Sequence, residues 1–409
     1  MLLVLNSSLT AQLDASLTKQ KRAQSIADNL VGEGFQSIDI YQQDKVLTIA
    51  YENRVYRFDA LGLREVMAIT KQSLDGNWGD IEQLVFITKR ANIPMLQTDW
   101  HLTDNKGGMF TDASVSRTLN RTNLSNPLVR NQNSGNFRAE LVLRPYLSME
   151  LGNLYVEDQF IHLIDLRPKL NLYLWKGAHF TYEMILPISN EFQTAPHWSE
   201  VRPRVVSLTQ QFRLPATTFL NISAGLFSRN RYGVSTQFSK YFLDSRIRLS
   251  GKIGYTGHAS YVRYNGIEVD KNWVYTDLDY IDYKIGMHYW LPKFNTQIGV
   301  EYGKVLNEER TIFFRCMQKF KEIDLGFYAY RTESGENYGI DLAIPIFPKK
   351  YWKPKRVSVR PSKRFAYNYL SGARRGSGII LAREYQAQGM FDDFPQDLNP
   401  HFIRNYLSN

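Results

Sequence analysis

Catalysis by side chains needs groups of matched chemistry within reach of one another. The seven histidines, His101, His162, His179, His197, His258, His288 and His401, are the first to weigh. None falls in the HExxH spacing that sets two imidazoles on one helical face around zinc. Cys316 is the only cysteine, so there is no internal disulfide, cysteine cluster or redox pair. No GxSxG nucleophile elbow occurs, and "GKIGYTG" (Gly251 to Gly257) lacks the Lys-Ser/Thr of a phosphate loop. The reading is therefore of a protein that is not an enzyme, with no catalytic residues, no cofactor and no metal.

The charges follow a different rule. In "FRAELVLRPYLSMEL" the odd positions, Phe137 to Leu151, are apolar, while Arg138, Glu140, Arg144 and Glu150 share the other side. A period of two is the signature of a strand. The same alternation gathers Arg246, Arg248 and Lys252 on one side of a later segment, and Asp282, Lys284 and His288 on one side of the next. Mixed charges on one face of long strands hydrate a polar lining, and the excess of bases, net +10 over the chain, favours an anionic partner.

Strands of this kind recur from about residue 97. They are read at 169–175, 178–188, 204–214, 219–228, 232–242, 246–256, 279–291, 294–304, 322–331 and 338–347. Most have about ten residues or more, the length a tilted strand needs to cross hydrocarbon. Their connections alternate between tight turns and longer loops, as in outer-membrane barrels. Trp175, Phe219, Phe242, Trp290 and Phe294 stand at strand ends beside the tight turns, where an interfacial aromatic girdle would lie. The competing reading of such strands is a large soluble sandwich. No apolar run approaches the roughly 20 residues of a membrane-spanning helix.

The expected fold is mainly β, a transmembrane antiparallel β-barrel preceded by a small α/β domain of order α-β-β-α-β. Residues 1–12 read as the remnant of a signal peptide, and 13–96 as the periplasmic α/β domain. The barrel is expected over 97–347. Residues 348–409 form a basic C-terminal region with eight Lys or Arg between Lys349 and Arg364, read as last strands, a plug or a periplasmic tail. The basic residues are dispersed without a nucleic-acid-binding module, so nucleic acid is not an expected partner. Enrichment in tyrosine, with 25 residues, offers rings that could stack on sugars.

Several segments resemble the YjbH-like family (YjbH and GfcD) of outer-membrane proteins from exopolysaccharide and group 4 capsule loci. They are Ser223 to Gly257, Val300 to Lys350 with Gly303-x-x-Leu306-x-x-Glu309 and the strand Gly339-Ile340-x-Leu342-x-Ile344-Pro345, and "YENRVYRF" near the N-terminus. The tail segment "SGIILAREY" is an approximate counterpart of a Gly-Gly-Gln-Leu-like segment of that family. The resemblance implies a barrel in the outer membrane of a Gram-negative bacterium that helps pass a polysaccharide, with an anionic polymer among the candidates. Its implied partners are outer-membrane lipid and periplasmic proteins or lipoproteins of an export complex. The alternative is a plugged barrel serving as a docking subunit of a larger envelope or protein-secretion complex.

Overall fold

The computed structural model describes residues 2–74, 79, 81–101, 114–120, 124–151, 160–192, 196–264, 268–306, 309–371, 384–387 and 395–408. It divides into two units, one of residues 1–136, 348–355 and 395–409, the other of 137–347 and 356–394. The boundary falls forty residues later than the sequence suggests, because the strands at Ser114–Ser116 and Val129–Gln132 add the two edges of the first unit's sheet.

In the first unit, helix α1 (Leu2–Glu33) buries Ala23, Ile26, Ala27 and Leu30, spaced as one face of a helix. Residues 2–12, read as a signal remnant, fall within this helix, and their side chains lie outside the described ones. The strands are β1 (Gln36–Gln43), β2 (Val46–Glu52), β3 (Gln83–Arg90), β4 (Ile93–His101), β5 (Ser114–Ser116) and β6 (Val129–Gln132). They form one sheet in the order β5-β4-β3-β2-β1-β6. Only β2 and β3 pair in parallel, and helix α2 (Asp59–Ser73) makes the crossover that a parallel pair requires. Ile38, Ile40, Leu47, Ile49, Phe86 and Met67 are fully buried, so this unit has an ordinary apolar interior.

Part of the basic tail belongs to this unit. Lys349 accepts the Arg57 amide through its carbonyl at 2.9 Å, Tyr351 donates its amide to the Val55 carbonyl at 2.7 Å, and Lys350 forms an ion pair with Glu33. Burial pushes the Glu33 carboxyl up, but hydrogen bonds from Lys350 and Tyr56 and the charge of Lys353 outweigh it and hold the group below its ordinary value. The C-terminal helix α3 (Pro400–Ser408) also belongs here, and Arg117 holds the Leu398 carbonyl at 2.6 Å.

The second unit is a single hydrogen-bonded sheet with short outlying pieces. In chain order its strands are β7 (Arg138–Leu143), β8 (Pro145–Leu151), β9 (Phe160–Leu166), β10 (Lys169–Tyr173), β11 (Ala178–Asn190), β12 (Arg202–Leu214), β13 (Thr218–Phe227), β14 (Arg231–Phe242) and β15 (Ile247–Ser260). After three two-residue pieces, β16 (Arg263–Tyr264), β17 (Val269–Asp270) and β18 (Val274–Tyr275), come β19 (Tyr280–Leu291), β20 (Thr296–Lys304), β21 (Arg310–Phe320), β22 (Ile323–Arg331), β23 (Glu336–Pro345), β24 (Val357–Pro361) and β25 (Arg364–Ser371). The strand at 310–320, which holds Arg315, is not among the strands read from alternation and corresponds to the Arg-containing strand that the family resemblance implies within Val300 to Lys350.

Strands next in sequence pair antiparallel throughout the long part of this sheet, from β10 through β23 to β25. The last strand then meets the first: β24 pairs in parallel with β7, Val357 opposite Ala139 and Pro361 opposite Leu143. Beyond this short seam no ladder joins β25 to β8 among the described residues. Counting β7–β8, β9–β10 and β24–β25 each as one bent run gives thirteen up-and-down runs, and an odd number is what makes the first and last parallel.

The bends have a common cause. Arg144-Pro145 and Arg167-Pro168 separate β7 from β8 and β9 from β10, and Arg360-Pro361 ends β24, at one level marked by hydrogen bonds from the Arg167 amide to the Arg144 carbonyl (2.7 Å) and from the Ser362 amide to the Leu143 carbonyl (2.9 Å). Proline cannot donate to a ladder, so each step breaks the pairing and turns the strand.

The polarity of this sheet is inverted. From β12 round to β23 one side carries exposed apolar groups, among them Phe212, Ile222, Phe238, Ile253 (55% exposed), Ile285 (59%), Val300, Phe314, Phe327 (61%) and Ile340. The other side buries Asp282, His288, Lys319 and Asp324, and Glu183 is buried on the adjoining β11. No described helix is long and apolar enough to cross a membrane, which says nothing of strands.

Candidate functional site

The buried polar side is built by β15, β19 and β20. Alternation sends Arg248, Ser250 and Lys252 inward from β15 and Asp282, Lys284 and His288 inward from β19. Register places Lys252 directly opposite Lys284 and Arg248 opposite His288. Like charges face to face repel, so such a ladder needs anions between them. Asp282 meets Lys252 at 3.2 Å and Glu301 meets Lys284 at 2.8 Å. Glu301 also meets His288 Nε2 at 3.2 Å, which lies 3.1 Å from the Ser250 hydroxyl. Room for these side chains comes from Gly254 and Gly299, where a β-carbon would collide with Asp282 and with His288.

A second cluster lies at the Arg-Pro steps. Glu183 is buried between Arg204 (2.9 Å) and Arg144 (3.5 Å), and Asp165 meets Arg167 at 2.7 Å. Glu140 accepts two hydrogen bonds from Arg360, at 2.8 and 3.1 Å, in the fork geometry that suits guanidinium and carboxylate. Arg204 reaches the inner side because the β11–β12 register slips between Glu183 and Met184, leaving it as the extra residue of a bulge. Further round, Asp324 holds Lys319 at 2.7 Å and Arg364 at 3.4 Å.

A short piece of the tail completes the wall. Glu384 meets Lys284 at 2.9 Å, and Tyr385 stacks on Phe227 with centroids 5.2 Å apart and planes 6° apart. The Lys252 ammonium stands 3.5 Å above the Tyr385 ring, a cation–π contact. Gln386 exchanges hydrogen bonds with Ser228, its amide donating to the hydroxyl at 2.8 Å and its carbonyl accepting the Ser228 amide at 3.1 Å.

Of the residues singled out from sequence, Glu140, Arg144, Lys252, Asp282, Lys284 and His288 stand on this polar side, with Arg138 and Arg248 half-buried. The Glu150 side chain lies outside the described ones. Arg246 does not join them: it is exposed in the turn after Leu243, one residue before β15 begins. Trp175, Phe242 and Phe294 are exposed. Phe219 (5% exposed) and Trp290 (1%) are corrections to the girdle, since the alternation of β13 and β19 turns both to the polar side. Phe219 packs edge-on to Tyr241 there, with Arg213 above its ring.

Sequence reasoning missed Arg204, Glu384 and Tyr385. The repeated Arg-Pro dipeptide is a signal that could have located the arginine cluster. The tail had no such signal, because "SGIILAREY" alternates like one more strand, and its residues 377–383 lie outside the described ones.

No family model matches the chain and no curated protein does. Among solved structures, a mutant of the Rh. blastica porin aligns at 10% identity over 51% of this chain and 90% of that one, with a TM-score of 0.29. The outer membrane protein opdK from Pseudomonas aeruginosa aligns at 15% identity over 50% and 61% of the two chains, with a TM-score of 0.27. Overlaps this loose carry no argument about function, which rests on the chain's own geometry.

Proposed function

We propose that the second unit is a β-barrel of the Gram-negative outer membrane, closed by the parallel β24–β7 seam, whose polar interior lets a polysaccharide pass without chemistry. The observation that carries this reading is the inverted polarity of the sheet. Exposed Ile, Val, Phe and Tyr side chains recur on strand after strand from β12 to β23, where the surface of a soluble monomer carries such residues singly or in small patches. In hydrocarbon the same belt is at home, and an aligned ring of strands satisfies its own backbone.

Strand length agrees. β12, β14, β15 and β19 have 13, 12, 14 and 12 residues. At about 3.3 Å per residue and a tilt near 45°, such strands span roughly 28 Å, close to the hydrocarbon thickness. The polysaccharide itself comes from the resemblance to YjbH and GfcD and from the basic excess of the chain. In that reading the first unit is periplasmic and meets the other proteins of an export complex.

A second reading is favoured by the docked tail, which covers part of the inner wall. In it the barrel is a plugged scaffold for an envelope complex. Conductance of the full chain in a planar bilayer separates the two. Steady, large ion conductance supports the channel, whereas folded, inserted protein that never conducts supports the scaffold.

A further inference from the structure

The docked piece Glu384 to Ala387 belongs to no strand and is held as a ligand would be, largely by side chains that the surrounding strands turn inward. Its carboxylate lies on the Lys284 ammonium, at 2.9 and 3.1 Å. Its ring lies between the flat face of Phe227 and the Lys252 ammonium. Its polar atoms are met by Arg229, whose Nε donates to the Glu384 carbonyl at 2.9 Å, by Arg204 at the Gln386 side-chain oxygen (2.9 Å), and by the Ser207 hydroxyl at the Ala387 carbonyl (2.6 Å).

These groups describe a chemical class. An aromatic face that stacks a ring, an ammonium group on a neighbouring carboxylate, a second cation over the ring and polar donors around the rim match what a hexuronic acid presents: a C–H face, a carboxylate and hydroxyl groups. A pyranose stacks its C–H face on Phe227 where Tyr385 now lies, and its carboxylate replaces that of Glu384. Lys252 and Lys284 stand opposite each other in register and each keeps a carboxylate of the wall, Asp282 at 3.2 Å and Glu301 at 2.8 Å, so Glu384 is the additional and exchangeable anion on Lys284. Either the tail or an incoming anion can take that place on the Lys284 ammonium.

We propose that this wall site binds a carboxylate-bearing sugar unit of an acidic polysaccharide, and that Glu384 and Tyr385 occupy it as an internal competitor until the polymer displaces them. The proposal rests on the channel reading above and names its substrate class. A tethered competitor acts at an effective concentration in the millimolar range, enough to weaken a modest sugar affinity without abolishing it.

The test uses the full chain in detergent with oligogalacturonate as ligand and a neutral malto-oligosaccharide of equal length as control. The variant Glu384→Gln with Tyr385→Ala is expected to bind oligogalacturonate about tenfold more tightly than the natural chain. Adding Lys284→Met to that variant should reverse the gain by about tenfold or more, the worth of a charge-assisted hydrogen bond. A spin label at Gln386→Cys in a Cys316→Ser background, with the tail otherwise natural, should be immobile alone and released by oligogalacturonate. Unchanged affinity on vacating the site, equal binding of the neutral sugar, or a label that stays immobile at saturating ligand overturns the proposal. Salt-driven ion conductance without sugar reports on the channel reading separately, so a conducting protein that fails these tests loses only the site.

Discussion

The two units solve the same problem in opposite senses. In the first, Ile49, Phe86 and Leu30 are sealed inside, whereas in the second Ile253, Ile285 and Phe327 stand exposed and carboxylates such as Glu183 and Asp324 are sealed inside. The residue types are alike and the strands are alike. What differs is which face of the period-two pattern is turned inward, and in the proposed reading that is set by whether the surroundings are water or hydrocarbon. The interior of the second unit is then held by ion pairs, which need matched partners, where the first is held by packing, which needs matched volumes.

The largest effect should come from breaking a buried ion cluster. Asp324→Asn removes the carboxylate between Lys319 and Arg364, both almost fully buried, and should cost about 3–5 kcal/mol, read from urea unfolding in lipid vesicles. An equal loss from a surface pair such as Arg331–Glu336, whose side chains are largely exposed, would break the contrast.

Packing gives the next test. Ile49→Ala in the first unit should cost about 2–5 kcal/mol through its cavity. Ile285→Ala on the outer belt should stay within about 0.5 kcal/mol, since no protein cavity forms. Ile285→Arg at the same position should cost about 2–4 kcal/mol in a bilayer, and it sharpens the comparison because an arginine on a water-facing strand would cost almost nothing.

The smallest effect is titration of Glu33 in the first unit. Its folded value is held below the ordinary one by Lys350 and Tyr56, so its contribution is full above the ordinary glutamate range and is lost as pH falls through the lower, folded value. Thermal unfolding of the first unit should therefore weaken on acidification, and Glu33→Gln should remove that part of the pH dependence. A pH dependence unchanged by the substitution would detach Lys350 from the first unit's stability.

Much of this contrast is legible in the sequence, and the misses have local causes. The spacing Ala23, Ile26, Ala27, Leu30 announces a helix face, and the alternation through Lys252 and Lys284 announces which side chains gather. Strand ends are less legible, because local periodicity fixes neither where a strand begins nor that an aromatic at its end has the outward parity. That is why Arg246 falls in a turn and why Phe219 and Trp290 point inward. The unit boundary misleads because the edge strands β5 and β6, of three and four residues, are too short to show a period. Pairing between distant segments, such as β24 with β7 or the tail with Lys284, leaves no mark on local periodicity.

The inverted polarity of the second unit is the central claim, and β19 offers its most direct test. In a Cys316→Ser background, single cysteines placed in turn from Ile281 to Tyr289 carry an environment-sensitive fluorophore, in vesicles whose acyl chains are brominated. Quenching should alternate, strong at Ile281, Tyr283, Ile285, Met287 and Tyr289 and weak at Asp282, Lys284, Gly286 and His288. Uniformly weak quenching along the strand would contradict the account, leaving the apolar belt facing something other than lipid.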